Sequence, residues 1–292
     1  MPRKYGIAGM MELADVPDSK SGGSDTVPVR PRSPAPNART SAFPIFGHSL
    51  FQEVFYFMAT VNEELSRLAL VIGDESIEKL ARARVAVFGV GGVGGYICEA
   101  LVRSGIGHID IFDGDVVALS NLNRQIIALR STVGRKKVDV MRERLLDINP
   151  SLDIRAFDVF YDAGNADSFP FDRYDYIADA IDSVPSKIEI IRRATEAGVP
   201  IISSMGTGNK LSPSRLEISD ISKTEYCPLA KSVRTKLRAI GIKHLTVVFS
   251  RELPAKPTFA EGEKRVPGST AFVPGSAGLL IASKIIGDIA GI

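Results

Sequence analysis

The stretch "RVAVFGVGGVGGYICEALVR", residues 84–103, constrains the chain more than any other. An apolar run of strand length, Val85 to Phe88, leads directly into "GVGGVGG", residues 89–95, and a helical pattern follows. Glycines are needed where a chain turns tightly from strand to helix, and where backbone N–H groups must come close to phosphate oxygens. Strand, glycine loop and helix in that order begin a doubly wound fold, in which ligands lie beyond the carboxyl ends of the strands.

The pattern downstream agrees. Leu65, Leu68, Ala69, Ile72, Ile77 and Leu80 recur at helical spacing over residues 61–81, with Gly73 as a break between two short helices. "HIDIFD" (108–113) is a second strand, and a long helix runs from Arg135 to about Ile148, stopped by Asn149-Pro150. "LDIRAFD", "YDYIADAID" and "VPIISSM" are three further strands, with a helix over 185–197 and Gly198 as its cap. After Met205 come "RLEISDI", a basic helix near 228–240, "HLTVVFS" and a terminal helix. The fold class is therefore α/β: a Rossmann-like, doubly wound, mainly parallel sheet with a C-terminal α+β extension of the same domain.

Residues 1–57 stand apart from a domain spanning 58–292. Seven of the 17 prolines fall before residue 48, among Ser, Gly, Asn and Arg and without apolar periodicity. Such a segment is expected to be disordered, or to lie upstream of a true start at Met58. Glu12, Asp15 and Asp18 arrive too early for a secretory or organellar leader. Cys98 and Cys227 are the only cysteines and form no CxxC pair, which excludes a disulfide framework and a cysteine zinc site and fits a reducing cytoplasm. Cys98 reads as a core residue on the inner face of the first helix after the loop. The apolar C-terminal stretch is interrupted by Lys284 and Asp288, so no stable membrane span is expected.

The loop glycines Gly89, Gly91, Gly92 and Gly94 suit NAD and ATP equally, as does Asp113, which ends the second strand where a carboxylate can accept from ribose hydroxyls. The turn "DVVALSNLNRQ" shifts the balance. A dehydrogenase needs an acid–base residue, commonly histidine, yet only His48, His108 and His244 are present, and His108 begins its strand at the wrong end. Instead Asn121, Arg124 and Gln125, then Lys137, follow a strand tip, and cations converging from separate segments suit a triphosphate. Asp182, after the fourth strand, makes sense beside that much negative charge if Mg²⁺ lies between them. Taken singly, Arg124, Lys137 and Asp182 would read as solvated ion pairs; the set reads as a site.

With the glycine loop, "DGDVVALSNLNRQ", "TVGRKKVDVM" and "DAIDS", the chain resembles the ThiF/MoeB/HesA superfamily of ubiquitin-activating-type adenylating enzymes from about residue 64 to its end. "RSGIGHIDIFDGD", "NRQIIALRSTVGRKK", "DAIDSVPSK" and "KTEYCPLAKSVR" resemble the tRNA threonylcarbamoyladenosine dehydratase branch. The resemblance implies ATP and Mg²⁺ as cofactors, with Asp113 holding the ribose, Asp115 also in the cofactor site, Asn121, Arg124 and Gln125 around the phosphates, Lys137 on the phosphates under attack, and Asp182 carrying the metal. It also implies a homodimer in which Arg67 reaches into the neighbouring subunit's site, and a tRNA carrying threonylcarbamoyladenosine as partner, with a sulfur-relay or other assisting protein as a further one. Cys227 matches the region where other branches carry a thioester-forming cysteine, with Lys223, Lys231 and Arg234 near in sequence; its other reading is a loop cysteine without a catalytic role.

Between Lys223 and Arg265 the basic residues Lys223, Lys231, Arg234, Lys236, Arg238, Lys243, Arg251, Lys256, Lys264 and Arg265 face only Glu225, Glu252, Glu261 and Glu263. Such a flank suits a tRNA backbone, or is a solvated helix face. Activation of a ubiquitin-like sulfur carrier is the second reading, weakened by the missing CxxC pairs; a nucleotide-binding scaffold without catalysis is the third.

Overall fold

In a computed structural model of the chain, residues 63–256 and 267–292 are described. The expectation for residues 1–57 lies outside them, as do His48, Lys264 and Arg265. Residues 63–72 are helical (α1) and Gly73 separates them from α2, Asp74–Arg82. There follow β1 (Arg84–Phe88), α3 (Gly94–Arg103), β2 (His108–Phe112), α4 (Lys137–Ile148), β3 (Asp153–Phe157), β4 (Tyr176–Asp179) and α5 (Val184–Ala197). The chain ends with β5 (Ile201–Ser204), β6 (Leu216–Asp220), α6 (Pro228–Ala239), β7 (Thr246–Ser250) and α7 (Phe272–Ala290).

One seven-stranded sheet takes the order β3-β2-β1-β4-β5-β7-β6. Every neighbouring pair is parallel except β6 with β7. The expected C-terminal extension thus adds two strands to the main sheet. Helices cover both faces, so β1 is buried from Val85 to Phe88, as a central parallel strand should be. Connections run outward from β1 through β2 to β3, then return to β4 on β1's other side. That reversal opens a crevice beyond the carboxyl ends of β1 and β4.

Two boundaries differ from the sequence expectation. The helix expected from Arg135 begins at Lys137, because Gly134 and Arg135 exchange backbone hydrogen bonds with Val117 and Lys136 bridges Val116. The fourth strand ends at Asp179, whose carboxylate accepts the Ile181 N–H and turns the chain at the crevice. The terminal helix α7 is apolar enough, by length and composition alone, to cross a membrane. Its Val273, Ala277, Ile281 and Ile285 are fully buried, and it packs closely on α3, where Gly278 faces the Val93 carbonyl. Its apolarity serves the core; Lys284 and Asp288 pair with each other on its outer side.

Candidate active site

The crevice is a cavity of about 550 Å³. Its floor is the glycine loop. Gly89 has φ +88°, and a Cβ on it would stand 2.9 Å from the Ala180 carbonyl oxygen. Only glycine lets the loop leave β1 in that direction so close to the β4 turn. A Cβ on Gly94 would overlap the Gly89 carbonyl oxygen, so Gly94 permits the first turn of α3 to sit against the strand end. Gly89, Gly91 and Gly92 line the cavity; Gly94 does not, which corrects its expected place on the ligand and gives it a packing role.

Asp113 ends β2 at one wall. Its Oδ2 accepts the Val90 N–H at 2.8 Å and its Oδ1 the Asp115 N–H at 2.9 Å, so it ties the glycine loop to the next turn. Burial pushes its carboxyl above the ordinary range, against the opposing pull of Lys137 and of those two N–H groups. Lys137 opens α4. Its Nζ lies 2.7 Å from Asp115 Oδ2 and 3.9 Å from Asp113, with the side chain only 6% exposed. Asp115 thus holds Lys137 while itself lining the cavity, as expected of a residue of the cofactor site.

The turn after β2 supplies the remaining polar wall. Asn121 is buried, and its Oδ1 accepts the Ala118 N–H, which fixes a one-turn helix. Arg124 folds back on the Ser120 carbonyl and Asn123 Oδ1, keeping its guanidinium at the cavity. Gln125 is buried with its Oε1 lacking any partner among the described residues. Such a group is costly unless a ligand or water satisfies it. Asp182 stands exposed on the cavity lining with no hydrogen-bonding or ionic partner among the described residues, an uncommitted carboxylate. Asn121, Arg124, Gln125, Lys137, Asp113 and Asp182 thus converge on one cavity, as the sequence pattern predicts.

Arg67 and Cys227 do not line it. Arg67 is exposed on α1 beside Leu70 and Val71, which are 89% and 79% exposed. Cys227 ends the loop before α6 and is buried. It caps α6, its Sγ accepting the Ala230 N–H at 3.5 Å, and it is buried among Met205, Val233 and Leu237. Nor do the expected cations gather at its thiol. Arg234 donates to the Ile221 and Thr224 carbonyls, and Lys223 and Lys231 are exposed.

Three features went unread in the sequence. Phe160 and Tyr161 form an aromatic wall, Phe160 largely exposed and pressed over Gly114. A buried ion pair lies behind the β4 turn: Lys187 Nζ is 2.7 Å from Asp179 Oδ2, 3.2 Å from Ser203 Oγ and 3.1 Å from the Ser204 carbonyl, and both charged side chains are fully buried. The hint was Asp179 at the end of β4 and the two serines, Ser203 and Ser204, that end β5. At the opposite end of the sheet, Asp110 is fully buried beneath Arg155, Arg173 and Tyr174, and His108 pairs with Asp153 well away from the cavity.

A doubly wound sheet with a glycine loop, a strand-end carboxylate and converging cations at its switch point defines the nucleotide-binding class of α/β proteins. Comparison narrows the class: the model of the ThiF family matches residues 65–291, and the chain belongs to that family. It is 43% identical over 239 residues to the tRNA threonylcarbamoyladenosine dehydratase of Bacillus subtilis (strain 168), covering 77% of this chain and 94% of that one. The Escherichia coli (strain K12) dehydratase is 34% identical over 233 residues, covering 74% and 86%. A crystal structure of the E. coli tRNA N6-threonylcarbamoyladenosine dehydratase in complex with ATP superposes with a TM-score of 0.73 at 32% identity, over 79% of this chain and 95% of that one.

Proposed function

We propose that the chain is an ATP-dependent tRNA threonylcarbamoyladenosine dehydratase working in the cytoplasm. The observation that carries this is the convergence of Lys137, Arg124, Gln125 and Asp182 on the glycine-loop cavity of a chain so similar, along nearly its whole fold, to enzymes of that name. The substrate carboxylate attacks the α-phosphorus of ATP, pyrophosphate leaves, and the resulting acyl-adenylate makes the acyl carbon electrophilic. A nitrogen of the same modification then attacks that carbon and loses its proton, closing the ring as AMP departs. Two anions must meet, so the chain's part is positioning and charge neutralisation. The ring-closing step is intramolecular and needs no protein nucleophile, which accords with a buried Cys227.

Lys137, held by Asp115, is set to neutralise the phosphates, and the loop N–H groups and Arg124 to orient them. Asp182, carrying no other partner, fits a single carboxylate ligand for Mg²⁺, which would screen the phosphates when bound. The cavity's ionisable lining favours that need: Asp113, Asp115, Asp162 and Asp182 outnumber Arg124 and Lys137. A second copy of the chain supplying Arg67 would add a cation, and the exposed Leu70 and Val71 beside it are a surface such a dimer would cover. A sulfur-relay protein remains a proposed assistant.

The test is AMP release with purified chain, ATP and Mg²⁺, with and without tRNA carrying threonylcarbamoyladenosine. Stimulation by that tRNA, lost in Lys137→Ala and Asp182→Ala, is the expected result. Stimulation by a Gly-Gly-tailed protein instead would move the assignment to sulfur-carrier activation, and stimulation by neither to a scaffold.

A further inference from the structure

The described part of the basic flank divides once folded, with Lys256 standing apart in the loop after β7. Arg251 is bound by Glu217 and Glu225, and Arg234 by backbone carbonyls. Lys223, Lys231, Lys236, Arg238 and Lys243 are all exposed and have no ionic partner among the described residues. All five lie on α6 or within a few residues of its ends.

Two other surface helices of this fold, α2 and α5, are built differently. On α2, Lys79 and Arg82 pair with Glu75 and Glu78 one turn back. On α5, Arg192 and Arg193 pair with Glu189, Glu196 and Asp167. The α6 sequence, PLAKSVRTKLRA, contains no acid at all. On α2 and α5 the cations are matched on their own helix; the unmatched cations of α6, Lys231 and Arg238 on one stripe and Lys236 about 140° round the helix, leave its exposed side open to an anion from outside.

The placement narrows what that anion is. Lys231 and Arg238 are seven residues apart, hence on one face and about 10 Å apart along the axis. Ser232, Thr235 and Ala239 lie between and beside them and allow close approach of a charged backbone. Tyr226 and Ile240, just beyond its two ends, are the large exposed apolar side chains of this surface, and α6 itself presents no apolar stripe between them to enter a lipid surface. The N-terminal end abuts the cavity wall: Cys227 Sγ lies 3.5 Å from where a Cβ on Gly206 would stand, and the next residue, Thr207, lines the cavity. A polyanion lying along α6 would therefore run toward the site of adenylation.

We infer that the exposed face of α6, with Lys223 and Lys243 at its two ends, docks the phosphate backbone of the RNA whose modified nucleoside enters the cavity. The inference rests on the RNA-directed reading of the function, and it adds the surface that holds the RNA. Phosphate contacts position a nucleic acid without reading its sequence, so this face sets affinity and register while the cavity selects the modification.

The test compares the full chain with a Lys231→Glu/Lys236→Glu/Arg238→Glu variant, a Lys→Arg variant at 231 and 236, and Lys79→Glu as an unrelated charge reversal. The probe is tRNA carrying threonylcarbamoyladenosine, titrated at several salt concentrations, with ATP affinity measured in parallel. The triple variant is expected to bind tRNA at least tenfold more weakly at low salt, and to lower the slope of log affinity against log salt by roughly 2 to 3. Its ATP affinity should be unchanged, and the Lys→Arg and Lys79→Glu proteins should bind as the parent does. Equal tRNA affinity and slope in the parent and the triple variant would overturn the inference while leaving the enzymatic reading intact. A parent that binds ATP but no tRNA would overturn both. A parent that binds phosphatidylserine vesicles through these residues, and not tRNA, would assign the face to a membrane.

Discussion

Replacing Lys187 by Met should unmask how the β4–α5 turn is held. Met keeps the length of the side chain and removes the charge. Asp179, fully buried, would keep only the Ser203 hydroxyl at 2.5 Å and the Ile181 N–H at 3.3 Å, and the Ser204 carbonyl would lose its donor. Removing one partner of a buried pair costs about 3–5 kcal/mol, because an uncompensated charge is left in the interior. For a fold of this size that corresponds to a fall of roughly 6–20 °C in Tm. The same turn carries Ile181, Asp182 and Ser183 to the cavity, so ATP affinity should fall together with stability. Urea unfolding and ATP titration measure the two effects. Adding Asp179→Asn to Lys187→Met should recover part of the loss, since the stranded charge is then gone. A cost under about 1 kcal/mol for Lys187→Met, or strict additivity in the double variant, would refute the reasoning.

Three other outcomes are expected. Gly94→Ala should destabilise the chain by several kcal/mol, or prevent folding, because its methyl group overlaps the Gly89 carbonyl; thermal unfolding of the variant checks this. Cys227→Ala should retain most tRNA-dependent AMP release and lose about 1–2 kcal/mol of stability, since the thiol packs in the core and caps α6; loss of turnover in a folded variant would restore a covalent role. Glu99 bridges α3 and α4 through Arg144 and Arg103. Burial raises its carboxyl pKa, but hydrogen bonds from those two guanidinium groups outweigh it, and the net direction is downward. Its stabilisation is therefore present above the ordinary Glu value and lost as pH falls through the lowered one. Glu99→Gln should lower Tm at pH 7 and flatten the acid limb of a Tm–pH profile.

The sheet was legible because parallel strands buried on both faces leave continuous apolar runs, and "VAVF" can be little else beside a glycine loop. The polar wall was legible because Asn121, Arg124, Gln125 and Lys137 fall in one stretch, residues 121–137, that follows a single strand. What escaped was pairing across the fold. Nothing local to Lys187 says that it meets Asp179 and Ser203 from neighbouring strands, and nothing local to Cys227 says that it is buried. Likewise, the loop pattern put Gly94 on the ligand, whereas folding gives it to the α3–β1 junction.

The charge of the cavity sets a condition on how it can work. Its own carboxylates exceed its own cations by two, and ATP brings about four further negative charges. Lys137, the most buried cation there, is already neutralised by Asp115 at 2.7 Å, so its attraction for phosphate must compete with that carboxylate. Binding therefore needs cations that the single chain does not carry in its cavity, and ATP affinity should rise steeply with divalent cation. Asp182→Asn should weaken that dependence, because it removes the carboxylate with no other partner, while leaving the loop and Lys137 as they are. If titration with ATP proves equally tight in EDTA and in millimolar Mg²⁺, the Asp182 assignment fails, and the deficit must be met by protein cations alone.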